Sequence, residues 1–500
     1  MSCTTLLIGK KASYDGSTMI ARNDDSAAGA FTPKKLTVVL PKDQPRHYES
    51  VISHVGIDLP DDPMRYTAVP NALEGEGIWA GAGVNAANVA MTATETIASN
   101  ERVLGADPLV RYIPADEDMP MVPGGIGEED LVTIVLPYIH SAREGVLRTA
   151  KLLEEFGTYE MNGIAFADIH EIWWMETLGG HHWIAKRVPD DQYVVVPNES
   201  GIDSFDLEDA LGQGADHPCS ADLKDFIKEN HLDLSTDGKL NPREAFGTVS
   251  DADRVYNTPR AWSVLRCLSP DRAKWDGPSA QYSPRDGSLP WSMKPARKIT
   301  VEDAKYVLSD HFQGTPYDPY SDFACGDRGG SSMAGAYRPV GVNRTDFLAL
   351  LQLRPYVPEA VCAVEWLTFG SNVFNTFVPF YTNTEKVPAY LSTTEKEVDT
   401  DSFYWNCRLI AALADAQFKP CKIHIERYQI KVMSEAHRIL NAADRLTAEL
   451  AALKADPQPV IDSANEQLAD MLRGETSAVL SLVLDETSNH MKNAYARSDA

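Results

Sequence analysis

Strand patterns and helix patterns alternate in long blocks along this chain of 500 residues. The first 100 residues are β-rich and begin with two apolar runs, CTTLLIG and STMIARN, joined across a turn at Asp15-Gly16. KLTVVLP and GVNAANVAMTATET predict further strands in the same region. Helical spacing then begins at GEEDLVTIVLP and ends at Gly157, and Pro137 should kink or split this run.

Strand patterns return after this helical block. EIWWMETLGGHHWIAKRVP predicts a hairpin that turns at Gly179-Gly180, while YVVVPNESGI and residues 337–390 predict more strands. From residue 401 the pattern is helical almost to the end. This order of β, α, β and mostly α blocks favours sheets covered by helices, which is an α+β fold.

No long linker and no internal repeat divides the chain. We expect one domain over residues 3–400, with residues 401–500 forming a helical C-terminal segment packed on that domain. Two departures from regular structure are predicted within it. One is an excursion over about 205–247, where the chain leaves the main sheets. The other is a long ordered loop, rich in Pro, Ser and Gly, over about 269–298.

Composition excludes several kinds of partner. The formal net charge of −26 argues against a nucleic-acid partner, because such surfaces need clustered Lys and Arg, and it also disfavours anionic membranes. No apolar run approaches the roughly 18 residues that span a bilayer. The N-terminus lacks the basic region, long apolar core and cleavage site of a secretory signal, so we expect a cytoplasmic protein.

Metal and cofactor motifs are also missing from the sequence. The seven cysteines lie far apart and form no CxxC pair, so we expect six of them to be core residues and consider Cys3 separately. His181-His182 are adjacent, so their side chains are expected to point apart, without the i, i+4 spacing of helical zinc ligands. GGIGEED lacks the lysine of a phosphate-binding loop. We therefore predict neither a metal nor a cofactor.

Cys3 stands two residues behind the initiator methionine, at the head of the first strand. A cysteine attacks as a thiolate, so another group must take its proton. One of the twelve histidines could do so, as in papain-like enzymes, although no cysteine here lies in that family's local signature. Alternatively, Cys3 becomes the first residue of the chain, and its own α-amine, with an ordinary pKa of about 7.7–8.0, acts as the base.

An enzyme of the second kind also needs positive charge beside the sulfur and an oxyanion hole. Arg22 and Asp25 lie on or just beyond the strand that follows the first turn, so strand pairing can return them to Cys3. A surface ion pair at a strand end would have the same spacing. The spacing alone therefore leaves both interpretations open.

Longer stretches carry a more specific signal. Cys3 at the head of the first strand, followed by ARNDD, resembles the N-terminal-nucleophile hydrolases of the penicillin V acylase and bile-salt hydrolase group. Four further segments resemble the bacterial dipeptidase A family, the cysteine dipeptidases of the same superfamily: GIGEEDLVTIVLPYIHSAREGV, NGIAFADIHEIWWMETLGGHHWIAKRVPDDQYVVVPN, RVYNTPRAW and RPVGVNRTDFLALLQLRP. The likeness runs from Cys3 to at least Tyr381.

The resemblance implies a four-layer α+β fold, the αββα sandwich of N-terminal-nucleophile hydrolases, with two antiparallel sheets between helix layers. It also implies hydrolysis of dipeptides to free amino acids without a cofactor. Cys3 matches the nucleophile, Arg22 matches the arginine beside the sulfur, and Asp25 matches the carboxylate that orients the α-amine. Asn198 matches the asparagine that donates to the oxyanion, and Arg260 matches a second active-site arginine.

The strand VNAANVAMTATET corresponds to the family's segment whose backbone N–H completes the oxyanion hole. Alignment puts Glu95 at that position, where the acylases carry a neutral residue. We expect the Glu95 carboxylate, or its neighbour Thr94, to meet the free ammonium group of a dipeptide. An exposed glutamate at a strand end is the alternative interpretation.

Removing Met1 would still leave Ser2 in front of Cys3. The resemblance implies a maturation step that cleaves the Ser2–Cys3 bond, by attack of the thiol on the preceding carbonyl. Residues 1–2 are therefore expected to be a short leader.

Two other functions stay open at this point. The chain could be an amidase or acylase that acts on N-acylated small molecules, or a non-catalytic regulatory protein like the secernins. The long C-terminal helices predict either a cover for a sheet or a subunit interface, so a homo-oligomer is a candidate assembly.

Overall fold

The structure, a computed structural model, describes residues 3–320 and 333–491. The expected leader at residues 1–2 and the last nine residues of the helical segment lie outside these ranges. No helix within them has the length and apolar character needed to cross a membrane.

The strands are β1 (Thr4–Ile8), β2 (Thr18–Asp25), β3 (Thr37–Val39), β4 (His47–Glu49), β5 (Gly56–Asp58), β6 (Tyr66–Ala68), β7 (Ala82–Val84), β8 (Ala90–Thr96), β9 (Asn162–Ala167), β10 (Ile172–Leu178), β11 (His182–Arg187), β12 (Tyr193–Val196), β13 (Ser292–Met293), β14 (Thr345–Leu353), β15 (Ala363–Phe369) and β16 (Val378–Tyr381).

The helices are α1 (Glu101–Ala106), α2 (Glu128–Val135), α3 (Ala142–Phe156), α4 (Leu207–Leu211), α5 (Leu223–Glu229), α6 (Pro242–Phe246), α7 (Asp253–Tyr256), α8 (Thr258–Leu268), α9 (Val301–Leu308), α10 (Ala389–Ser392), α11 (Phe403–Ala416), α12 (Phe418–Ala452) and α13 (Gln458–Asn489). The protein is therefore a mixed α+β structure with its longest helices at the C-terminal end.

Two antiparallel sheets form the centre of the molecule. The first has seven strands in the order β13-β12-β1-β2-β14-β15-β16, and the second has five in the order β11-β10-β9-β8-β7. β1 and β2 are central strands of the first sheet, and both are buried along their whole length. In their antiparallel register Thr4 lies opposite Asn23 and Thr5 lies opposite Arg22. This register brings the end of β2 back to the beginning of β1, where Cys3 lies.

Helices contact both sheets. β2 contacts β8 and β9, so the two sheets face each other. α2 and α3 pack on the second sheet, while α8 and α9 pack on β12, β1 and β2 of the first. The C-terminal helices α11, α12 and α13 pack against β15 and β16. The buried apolar side chains are consequently shared between the sheet interface and the helix–sheet interfaces.

The main sequence patterns are confirmed. Gly16 has a φ of 88° in the first turn, and Pro137 lies in a short 3₁₀ turn that separates α2 from α3. Gly157 has a φ of 66° and ends α3. Gly179 has a φ of 62° in the β10–β11 turn, where an added Cβ would come within 2.5 Å of the Asp107 carbonyl oxygen. These glycines therefore mark true element boundaries.

Other expectations need correction. The loop predicted over 269–298 contains β13, which pairs with β12 and extends the first sheet by one strand. Cys267 is exposed and Cys219 is only partly buried, so not all the other cysteines are core residues. The rings of His181 and His182 do not point apart, because the Nδ1 atom of each contacts the carboxylate of Asp107, at 2.9 and 2.7 Å.

Candidate active site

Cys3 is fully buried just before β1, beside the end of β2. Its Sγ lies 3.1 Å from Nη2 of Arg22 and 3.8 Å from Oδ1 of Asp24. Arg22 and Asp24 are two positions apart on β2, so strand geometry puts both side chains on one face of the sheet. No histidine among the described residues contacts this sulfur, which argues against a papain-like Cys–His pair.

Arg22 connects several elements through its guanidinium group. Nη2 also contacts Oδ1 of Asp24 at 3.0 Å and makes a short ion pair with Oε1 of Glu128. Nη1 donates to the carbonyl oxygens of Ala93, at 2.6 Å, and Gly81. Arg22 therefore links its own strand, β2, to β8, to the loop before β7 and to the first turn of α2.

The buried charges around Cys3 balance one another. Lys34 Nζ lies 3.1 Å from Oδ2 of Asp24, so the two cations Arg22 and Lys34 face the two carboxylates Asp24 and Glu128. Burial opposes ionisation of Asp24, but Lys34 and Arg22 hold its pKa below its ordinary value. Glu128 lies in the first turn of α2, where the helix dipole favours negative charge.

The thiol of Cys3 is protonated in this environment. Burial raises its pKa far above the ordinary value, and the carboxylates of Asp24 and Glu128 act in the same direction. Arg22 opposes the increase but does not overcome it. A thiol in this state needs a nearby base before it can act as a nucleophile.

Among the described residues, one group has ligand atoms close enough together to hold a metal ion. It consists of Cys3, Asp24 and Glu128, whose ligand atoms all lie within 4.8 Å of one another. The same three atoms, however, each contact Nη2 of Arg22. The guanidinium group thus takes the position that a cation would need, and the donor set as arranged does not fit a metal.

Arg260 connects the backbone of Cys3 to Asn198. Its Nη1 donates to the Cys3 carbonyl oxygen and, at 2.7 Å, to Oγ1 of Thr4, while Nη2 donates to Oδ1 of Asn198 at 2.8 Å. Asn198 in turn donates from Nδ2 to the carbonyl oxygen of Thr96 at 2.9 Å. Asn198 and Arg260, 62 residues apart in sequence, therefore lie together at the same strand ends as Cys3.

Glu95 is fully buried, so the alternative of an exposed glutamate at a strand end is wrong. Its Oε2 accepts a hydrogen bond from Oγ1 of Thr5 at 2.8 Å. Burial raises the pKa of Glu95 to about 8, although Arg260 and the Thr5 hydroxyl act against the increase. Oε1 of Glu95 and Oγ1 of Thr94 are both buried without a hydrogen-bond partner among the described residues.

Asp25 is bound differently from its neighbour Asp24. Its Oδ1 accepts from Oγ1 of Thr345 at 2.6 Å, and its Oδ2 makes a short ion pair with Arg338. The carboxylate that contacts the Cys3 sulfur is thus Asp24. The structure brings Cys3, Arg22, Asn198 and Arg260 into one hydrogen-bonded network, with Asp25 held beside it by a separate pair.

Sequence reasoning missed several charged residues of this network. Asp24 could have been found from the alternation of side chains along ARNDD, which puts it on the same face as Arg22. Glu128 lies in the GEED segment, whose acidic residues were interpreted only as the beginning of a helix. Lys34 and Arg338 lie outside regular elements. Arg338 begins the quoted segment RPVGVNRTDFLALLQLRP, but the sequence gave it no role in the site.

Comparison with known proteins places this chain in a family. The family model of peptidase family C69 matches residues 2–431, which is most of the chain. The chain therefore belongs to peptidase family C69.

Relatives of full length are similarly named. The chain is 53% identical to a protein named dipeptidase from Bifidobacterium longum, over 100% of both chains. It is 51% identical to a probable dipeptidase A from Streptococcus pyogenes serotype M3, again over 100% of both. It is 41% identical to dipeptidase A from Lactobacillus helveticus, over 99% of this chain and 98% of the relative.

Proposed function

We propose that this protein is a cysteine dipeptidase that hydrolyses dipeptides to free amino acids, with Cys3 as its nucleophile. The observation that carries the proposal is the Cys3 thiol, 3.1 Å from Arg22 Nη2 within a buried network of balanced charges. A buried arginine in contact with a thiol stabilises the thiolate that forms during attack. The names of the full-length relatives support the choice of dipeptides as substrates.

We further propose that the fold is the αββα sandwich of N-terminal-nucleophile hydrolases. The contacts between β2 and both β8 and β9, together with helices packed on each sheet, support this assignment. So does the place of Cys3 at the end of a central strand.

Maturation is the first step of the proposed mechanism. While Ser2 precedes Cys3, the nitrogen of Cys3 belongs to a peptide bond and cannot accept a proton. The thiol attacks the Ser2 carbonyl carbon, the peptide C–N bond breaks, and the acyl group moves to sulfur while the departing nitrogen takes up the thiol proton and becomes a free amine. Water then hydrolyses the thioester and releases the residues before Cys3.

In turnover, the α-amine of Cys3 takes the thiol proton as sulfur attacks the peptide carbonyl of the substrate. Asn198 exchanges its bond to the Thr96 carbonyl for one to the oxyanion, which a backbone N–H near Glu95 also binds. The amine then donates its proton to the leaving amino group, so the first amino acid departs. Water hydrolyses the remaining thioester and restores the thiol.

The other site residues take supporting roles in this proposal. Asp25, fixed by Thr345 and Arg338, orients the α-amine, and Arg260 holds Asn198 and the Cys3 carbonyl in place. Glu95 binds the ammonium group of the dipeptide, with Thr94 beside it. The two buried acceptor atoms that lack partners, Oε1 of Glu95 and Oγ1 of Thr94, support this last role.

A panel of dipeptides, N-acetylated dipeptides and tripeptides tests the function, using the wild type, Cys3→Ala and Cys407→Ala. Cys407 is also fully buried but lies in α11, so its replacement controls for general loss of a core cysteine. We expect the wild type and Cys407→Ala to hydrolyse free dipeptides, and Cys3→Ala to be inactive. Preference for acylated substrates would indicate an amidase, and absence of Cys3-dependent hydrolysis would indicate a non-catalytic protein.

A further inference from the structure

A cavity lies between α9 and α12, apart from the Cys3 network. Its volume is about 510 Å³, which is within the range of small-molecule sites, about 300–1,000 Å³. We call it the α9–α12 cavity. None of the residues that line it belongs to the network around Cys3.

Most of the α9–α12 cavity wall is apolar. α12 and the segment after β15 contribute side chains that would contact a hydrocarbon or aromatic group: Val373, Phe374, Phe418, Ile425, Ile430 and Met433. A wall of this kind favours ligands with an apolar body, since burial contributes about 25 cal/mol per Å² of apolar surface.

The charged groups that line the cavity are paired, with one exception. His437 Nε2 lies 2.6 Å from Oε1 of Glu302, and Lys422 Nζ lies 3.6 Å from Oε1 of Glu426. The imidazole of His311 lies 3.0 Å from the carboxylate of Asp318. Only the ammonium group of Lys305 has no hydrogen-bond or ion-pair partner among the described residues.

Lys305 is on α9, only 7% exposed, and lines the same cavity. Burial lowers the pKa of its amine to about 7, and no neighbouring charge offsets this effect. A buried ammonium group without a counter-ion is destabilising, so an anion in the cavity would remove that cost.

We propose that the α9–α12 cavity binds a small amphipathic carboxylate, whose charged group pairs with Lys305 and whose apolar body lies against α12. A single cation matches a monoanion better than a phosphate, which carries up to two charges at neutral pH. The proposal is independent of the reaction at Cys3.

Calorimetric titration with decanoate tests this site on the full-length chain. We expect the wild type to bind decanoate, and Lys305→Met to bind it at least tenfold more weakly. Methionine retains much of the length of lysine and removes the charge, so the cavity wall is kept. Lys422→Met is the matched control, since Lys422 lines the same cavity but is already paired with Glu426. The affinity of this variant for decanoate should differ from that of the wild type by less than threefold.

Decanol provides the control for the apolar body. It lacks the carboxylate, so its affinity should be similar in the wild type and Lys305→Met. Circular dichroism and hydrolysis of a dipeptide by both variants show that the chain remains folded, because neither lysine belongs to the site at Cys3.

The affinity for decanoate should also depend on pH. It should fall between pH 6 and 9 in the wild type, because Lys305 loses its proton in this range, and Lys305→Met should lack this part of the dependence. The other titratable groups that face the cavity remain in the variant: Glu302, Tyr306 and His311 on the α9 side, and Lys422, Glu426 and His437 on α12. Only the difference between the two profiles therefore reports on Lys305.

Two results would overturn the proposal. One is the absence of decanoate binding to the wild type at any pH in this range. The other is equal affinity of the wild type and Lys305→Met, which would show that the amine contributes nothing.

Discussion

Arg22 lies with Nη2 against the thiol of Cys3 and the carboxylates of Asp24 and Glu128, and all four side chains are buried. Removing one member of a buried charged network leaves the others uncompensated. Arg22 therefore has two roles in this account: it supports the thiolate during attack and it neutralises two carboxylates at rest.

Replacing Arg22 by Met should lower both activity and stability. Two buried carboxylates would then share the single cation Lys34, and we expect a loss of about 3 kcal/mol or more in the free energy of unfolding. Arg187→Met is the matched control, because Arg187 pairs with Glu171 and Asp190 at the surface. This replacement should lower the free energy of unfolding by about 1 kcal/mol or less.

Adding Glu128→Gln to Arg22→Met should restore part of the stability but none of the dipeptide hydrolysis. Denaturant unfolding and kcat/KM, measured on the same preparations, separate the two roles. Equal stability of Arg22→Met and the wild type would contradict the charge balance described around Cys3.

Glu95→Gln should weaken the preference for free dipeptides over N-acetylated ones. A hydrogen bond that involves a charged group contributes about 1.5–3 kcal/mol, so the ratio of kcat/KM values should fall by tenfold or more. Glu365→Gln is a close control, because Glu365 is also fully buried and its Oε2 also accepts from a threonine, Thr67, at 2.9 Å. An unchanged ratio in Glu95→Gln would remove Glu95 from substrate recognition.

The sequence identified Cys3, Arg22, Asn198 and Arg260 as members of one site because their segments resemble a known family. It gave no role to Lys34, which lies outside the quoted motifs, or to Arg338, which begins the quoted segment RPVGVNRTDFLALLQLRP, since their contacts depend on chain segments that meet only in three dimensions. It assigned Asp25 to the α-amine but did not anticipate that Asp24 would contact the sulfur. A one-residue shift along a strand changes the face of the sheet, and an irregular register beside Asp25 makes this difference hard to derive from spacing.

At the scale of elements, short polar contacts determine where the strands turn. The carboxylate of Asp107 follows α1 and accepts hydrogen bonds from the backbone N–H groups of His181, at 2.7 Å, and His182, at 3.1 Å, at the β10–β11 turn. Its contacts with both imidazole rings are also short. These bonds attach the turn of the second sheet to a distant part of the chain.

Asp107→Asn should destabilise the protein by about 2 kcal/mol at pH 7, since it weakens several hydrogen bonds to a charged acceptor. Burial alone would raise the pKa of Asp107, but the bonds from His182 and His181 hold it well below the ordinary value. Its stabilising contribution is therefore complete above about pH 4 and is lost as the pH falls further.

Thermal unfolding between pH 3 and 7 checks this prediction. The melting temperature of the wild type should fall more steeply at acid pH than that of Asp107→Asn. Asp191→Asn is the control, because Asp191 forms an exposed pair with Lys294 and should change stability little. Parallel curves for the wild type and Asp107→Asn would contradict the proposed contribution.

Strands such as β1, β2, β10 and β11, and the helices α2 and α3, followed from local patterns, because Gly or Pro marks their turns and ends. The exceptions have physical causes that a local pattern does not contain. β13 has two residues and exists only through its pairing with β12. The two imidazole rings at the β10–β11 turn converge because Asp107, more than 70 residues away in sequence, accepts from both.

At the scale of the whole molecule, the C-terminal helices cover an edge of the first sheet. β16 is the last strand of that sheet, and Asn465 of α13 binds the backbone of Tyr381 through both its Oδ1, at 2.9 Å, and its Nδ2, at 3.1 Å. Asp444 of α12 pairs with Arg354 at 2.7 Å. An uncovered strand edge of this kind is prone to pair with other chains.

A chain that ends at residue 400 should therefore fail to fold as a soluble protein. The apolar surface under α11 and α13 and the edge of β16 would both be exposed, so we expect aggregation and no cooperative thermal transition. Soluble expression and circular dichroism of this shortened chain check the prediction. A soluble product that melts cooperatively would show that residues 401–500 form a separate unit.

The homo-oligomer also stays a prediction, which sedimentation can test against the chain mass of 55.0 kDa.

In the proposed mechanism, Cys3 hydrolyses dipeptides only when its own amine is free. Burial keeps its thiol protonated, and none of the described residues offers a base beside the sulfur except carboxylates held by Arg22 and Lys34. Intact mass analysis of purified protein, combined with dipeptide hydrolysis by the same sample, tests this claim most directly. We expect active protein to begin at Cys3, and molecules that retain Ser2 to be inactive. Full activity in a sample whose every molecule retains Ser2 would contradict it.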